Sequence, residues 1–71
     1  MADMTLREEL VEVLVAHVER DRYPSTTMMN QIERSLTERL HGRYVRILLD
    51  KLNADHFPSP DLARRVASLV R

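Results

Sequence analysis

Apolar residues recur every three or four positions along most of the chain, which is the spacing of amphipathic helices. The first such stretch runs from Leu6 to Val18, and its apolar positions cover nearly half of the helical circumference. A helix that lies on the surface of a globular protein needs a narrower stripe. We therefore predict an all-α fold whose first helix is buried on two sides.

The ends of the first helix are indicated by a cap and a proline. Thr5 and Glu8 have the spacing of a capping box, in which a hydroxyl and a carboxylate each bind a free backbone N–H group. Pro24 disfavours helical backbone for the residue before it. These signals predict a first helix that begins at Leu6 and ends near Arg20.

Two serines mark the starts of two further helices. Ser25 is placed to cap a second helix that begins at Thr26. Ser59 precedes Pro60. Proline is favoured in the first helical position because a backbone N–H there would have no partner within the helix, so its absence costs nothing. This pair predicts a last helix from Pro60 to about Val70.

The boundary between the second and third helices is ambiguous. Gly42 is the only glycine and suits a helix C-terminus, so we favour a break there, with the third helix over 43–53. A break near 37–39 is an alternative, because Ser35 and Glu38 offer a second capping box. One long bent helix is the third possibility.

The sequence also contains an internal similarity. Residues 10–36 align with residues 44–70 at an offset of 34, and apolar positions coincide along the helices. The motif Asp-x-aromatic-Pro-Ser occurs in both halves, beginning at Asp21 and at Asp55. Self-similarity at a fixed period is typical of one supersecondary unit used twice.

This repeat predicts a single domain over 1–71, with repeat units of about 6–36 and 40–70. Each unit would be a helix–turn–helix hairpin, and we expect the two hairpins to pack as a small four-helix bundle. The aromatic residues of the turns, Tyr23 and Phe57, should pack onto the helix ends.

Composition limits how stable such a domain can be. A chain of 71 residues with one core has a stability of about 3–5 kcal/mol unless something adds to it. Cysteine is absent, so disulfides cannot contribute. Association with another chain is the remaining way to add stability, and we expect a homodimer.

No stretch of the sequence has the length and apolar character of a membrane span, and we expect a cytoplasmic protein.

The charges are balanced overall and unevenly distributed. The formal net charge is zero, unlike the basic balance of most nucleic-acid-binding proteins. Residues 1–19 carry five carboxylates against the single Arg7, and residues 20–51 carry seven basic and four acidic groups. Arginine accounts for all basic residues except Lys51, which suggests a GC-rich genome and hence a bacterial or phage source.

No residue pattern indicates catalysis. The three histidines, His17, His41 and His56, lack the helical i, i+4 spacing of a metal site. The sequence contains no cysteine nucleophile, no Gly-x-Ser-x-Gly nucleophile elbow and no glycine-rich phosphate-binding loop. We expect no enzymatic activity, no metal and no cofactor.

Two groups of residues are candidates for binding a partner. The apolar candidates lie on the first two helices and are Val11, Val15, Val18, Met28 and Met29. The charged candidates, Arg39, Arg43 and Arg46, share one face if the backbone stays helical through Gly42. The sequence favours a small non-enzymatic protein–protein interaction module, acting as an adaptor, regulator or inhibitor through an apolar helical face. The alternative is a dimeric nucleic-acid-binding regulator that uses the three arginines.

Overall fold

The computed structural model describes residues 5–21, 24–54 and 59–70 of the chain. Four α-helices and no β-strand lie within these ranges, which confirms the all-α prediction. The helices are α1, Leu6–Arg20; α2, Thr26–Arg34; α3, Glu38–Ala54; and α4, Pro60–Leu69. Among the described residues, no helix is both long and apolar enough to cross a bilayer.

The predicted capping box is present at the start of α1. The Thr5 hydroxyl accepts a hydrogen bond from the Glu8 backbone N–H at 3.1 Å, and the Thr5 N–H donates to the Glu8 carboxylate at 3.0 Å. These two bonds satisfy donors that have no partner within the helix. Both predicted ends of this helix, Leu6 and Arg20, are confirmed.

The serine caps of α2 and α4 are also confirmed. The Ser25 hydroxyl accepts from the Met28 N–H at 3.3 Å, and the Ser59 hydroxyl accepts from the Leu62 N–H at 3.2 Å. Pro60 occupies the start of α4 as predicted. Each of these helices therefore begins at a position that its own local sequence specifies.

The predicted break at Gly42 is wrong. α2 ends at Arg34 and Ser35 is its C-cap, with φ −119° and ψ 16°. α3 then begins at Glu38 and continues through Gly42, whose φ is not positive. The alternative break near 37–39 is close to the observed one, although Ser35 ends a helix there instead of starting one. A single bent helix is excluded by the same break.

The chain divides into two compact units, Met1–His41 and Gly42–Arg71. In the first unit α1 packs against α2. The buried apolar side chains of this unit are Val11, Val15, Val18, Met29, Ile32 and Leu40. Those of the second unit are Tyr44, Val45, Ile47, Leu48, Leu62 and Val66. The predicted packing of Tyr23 and Phe57 falls outside the described residues.

Candidate partner-binding surface

One face of α1 is apolar and exposed to solvent. Leu6 is 84% exposed, and Leu10 and Val13 are each 49% exposed. Their spacing of i, i+4 and i+7 places them on the same face of the helix. We call these three residues the apolar strip. The expectation that α1 is buried on two sides is therefore wrong for the chain by itself.

The predicted apolar candidates lie mostly on the opposite side of α1 or in the core. Val11, Val15, Val18 and Met29 are between 0% and 3% exposed, and Met28 is half-buried. The spacing of apolar residues shows how much of the circumference of α1 is apolar. It does not show which of these side chains α2 buries. Val11 is 2% exposed and borders the groove described below, and a partner could reach the other three buried side chains only if the first unit opened. The apolar strip is therefore the exposed apolar surface of α1.

A groove of about 430 Å³ lies beside the apolar strip, between α1 and α2. α1 contributes Arg7, Leu10, Val11 and Leu14, and the other wall is formed by Gln31 and Arg34 of α2 together with Ser35. Leu10 belongs to both the groove and the strip. The two features therefore form one continuous surface on the first unit.

The groove is positively charged. Arg7 and Arg34 are exposed, and neither side chain makes an ion pair or hydrogen bond with a described residue. The residues that line the groove include no carboxylate. The acid next to Arg7 in sequence, Glu8, is engaged in the capping box, where hydrogen bonds from the backbone and hydroxyl of Thr5 lower the pKa of its carboxyl. The acid next to Arg34, Glu33, also has an interaction partner. The two guanidinium groups thus remain available to an external anion.

The predicted arginines of α3 are in a different situation. The helix does continue through Gly42, as their shared face requires. However, Arg39 binds Glu12 at 3.3 Å within the first unit, and Arg46 binds Asp50 at 2.9 Å within the second. Arg43 also has an interaction partner. All three already interact with groups of the chain itself.

The described residues hold no cluster of metal ligands. They contain no group of three or more histidine and acidic side chains that could hold a metal ion. His17 is exposed, and its Nδ1 lies 3.1 Å from the Arg20 guanidinium, which donates to it when the ring nitrogen is unprotonated. This contact lies within the last turn of α1.

The groove and its two arginines were not predicted from the sequence. Arg7 and Arg34 are 27 positions apart in the chain, so only the packing of α1 on α2 brings them to one site. The available signal was Arg7 itself, a cation in the first turn of a helix, where the backbone dipole favours acids. No family model matches this chain, and no curated protein or solved structure matches it at a significant level.

Proposed function

We propose that this chain is a small, non-enzymatic protein–protein interaction module, an adaptor, regulator or inhibitor that binds its partner through α1. The observation that supports this most directly is the exposure of Leu6, Leu10 and Val13. Weighted by their exposed fractions, these three side chains would contribute roughly 3–5 kcal/mol when covered, at 1.5–3 kcal/mol for each fully buried aliphatic side chain. That gain is comparable with the whole stability expected of so small a core.

The internal similarity gives this proposal further support. At the offset of 34, the first helical residue of α2, Thr26, aligns with that of α4, and the last residue of α1, Arg20, aligns with that of α3. The apolar strip aligns with Leu40, Tyr44 and Ile47, which are 4%, 0% and 7% exposed. Our proposal is that a hairpin is used twice, in a small helical bundle, and that the helix face covered in the second copy is left open for a partner in the first.

A second copy of the chain is the simplest partner to test, because twofold dimers are the commonest closed assemblies. Sedimentation equilibrium over a wide concentration range measures this directly. If the strip mediates self-association, the Leu6→Ser and Val13→Ser double variant should be monomeric where the natural chain is dimeric. An unchanged dimer in the variant would assign self-association to another surface.

Binding to a different protein is tested by a photo-crosslinker at position 10 in cells of the source organism, with the same group at the exposed Asn30 as the control. We expect a discrete crosslinked species from position 10, and its loss when Leu6 and Val13 are changed to serine. The proposal would be refuted if the natural chain stayed monomeric and position 10 gave no product beyond the control. The cytoplasmic location and the absence of catalysis remain parts of the proposal.

The nucleic-acid alternative has no comparable support. It requires free cations on α3, and Arg39 and Arg46 are each bound to a carboxylate of the chain. Phosphates would have to displace these ion pairs before binding. A salt-dependent shift of duplex DNA that disappears in the triple alanine variant of Arg39, Arg43 and Arg46 would revive this alternative.

A further inference from the structure

The groove of the first unit combines apolar side chains and unpaired cations. Leu10 and Leu14 line it from α1, while Arg7 and Arg34 contribute the charges. Its volume of about 430 Å³ lies within the usual range of binding pockets, about 300–1,000 Å³. A ligand that matches this surface carries carboxylates next to apolar groups.

Arg7 lies in the first turn of α1, where a cation does not stabilise the helix. Arg7 is the second residue of α1, where the positive end of the helix dipole disfavours a cation. No carboxylate among the described residues forms an ion pair with Arg7. An anion from outside the chain would relieve the repulsion between Arg7 and the helix end.

We propose that the groove binds an acidic amphipathic helix of another protein. The carboxylates of that helix pair with Arg7 and Arg34, and its apolar side chains contact Leu10, Leu14 and the apolar strip. This inference rests on the proposed function and adds the chemistry of the partner. Guanidinium groups suit this role because they bind carboxylates through two parallel hydrogen bonds.

The extent of the surface favours a helix over a small carboxylic acid. From Leu6 to Leu14 the apolar surface follows α1 for about 12 Å, at 1.5 Å per residue, which equals about two turns of a partner helix. A small acid would fill the groove and leave Leu6 and Val13 uncovered. A helix with apolar residues at i, i+3 or i+4, and i+7 covers both, as in other complexes where a helix lies in a groove.

The test uses three fluorescein-labelled synthetic helices of about 16 residues, with leucines on one face. Their flanking residues are glutamate, glutamine or lysine, and anisotropy titrations give the Kd of each. We expect the glutamate peptide to bind best. In the double variant Arg7→Gln and Arg34→Gln, the Kd of the glutamate peptide should rise about tenfold, because each exposed ion pair lowers the Kd by a factor of roughly 1.4 to 5.

The matched control is Arg64→Gln, which removes an exposed arginine of α4 that lines no part of this groove. It should leave the Kd unchanged. A second variant with Arg7 and Arg34 both changed to glutamate should bind the lysine peptide in preference to the glutamate peptide. Circular dichroism of every variant shows whether α1 and α2 still fold, and this reversal of preference cannot arise from unfolding.

Other outcomes separate this inference from the proposed function. If the three peptides bound equally and Leu10→Ser abolished all binding, the interaction surface would stand and the acidic partner would be overturned. If no peptide bound at about 1 mM, a concentration at which even a contribution of about 4 kcal/mol is detectable, the inference would also be overturned. Self-association that blocks the groove would assign it to a second copy of the chain and overturn the acidic partner as well.

Discussion

Replacing Gly42 with alanine should stabilise the protein. Gly42 lies inside the 17-residue helix α3, is exposed, and has no positive φ that would require glycine. A Cβ atom built at this position has no heavy-atom neighbour within 4 Å beyond its own helix. The substitution therefore adds no clash, and it reduces the conformational freedom that the unfolded chain loses on folding.

The expected gain is about 0.8–1.0 kcal/mol, the difference between alanine and glycine in the interior of a helix. For a domain of this size, 1 kcal/mol raises Tm by about 4–8 °C. Thermal unfolding followed by circular dichroism at 222 nm resolves such a shift. Urea titration gives the same free energy from the midpoint, provided that the slope stays constant.

The control for this experiment is Ala63→Gly on the exposed side of α4. It should lower stability by a similar amount, which shows that helix propensity is measurable in this chain. A lower Tm for Gly42→Ala, together with a higher Tm for D-alanine at position 42, would refute the reasoning. That pair of results would mean that Gly42 adopts left-handed backbone and that α3 is interrupted there.

Three further changes test the local structure. Thr37→Val should raise the free energy of unfolding by about 1 kcal/mol, because the Thr37 hydroxyl is buried and has no hydrogen-bond partner in the described part of the chain; a lower urea midpoint would contradict this. Ser59→Ala should lower stability by about 1 kcal/mol through loss of the cap on α4, and Ser59→Asp should retain most of it. Glu8 has a lowered pKa, so its contribution is complete above the ordinary value of 4.5 and is lost as the pH falls through the lower folded value. Glu8→Gln should therefore flatten the dependence of Tm on pH below about 4.5, and an unchanged acid limb would show that this carboxylate does not contribute.

The starts of α1, α2 and α4 were predictable because each depends on a few adjacent residues. Thr5 and Glu8 specify the start of α1, and Ser25 and Ser59 specify those of α2 and α4. In each case a side-chain oxygen binds a backbone N–H three positions later, which any sequence with that spacing can do. Gly42 suggested a helix end that is not present, because a sequence does not show the backbone angle that distinguishes glycine at a helix end from glycine inside a helix.

The binding surface was less predictable because it depends on tertiary packing. The apolar arc of α1 was visible in the sequence, but its covered edge, with Val11 and Val15, is fixed by contact with α2. The pairing of Arg39 with Glu12 likewise joins residues that are 27 positions apart. This ion pair leaves Arg39 less available to a partner. The spacing of the three arginines along α3 does not predict it.

The location of Arg7 in the first turn of α1 affects how this protein should be produced in the laboratory. An affinity tag fused ahead of residue 1 is separated from Leu6 by only five residues. If the groove binds an acidic helix as proposed, a tag that contains aspartates would be a covalently attached competitor, with an effective concentration at the groove in the millimolar range. A tag placed after residue 71 would avoid this competitor next to Leu6.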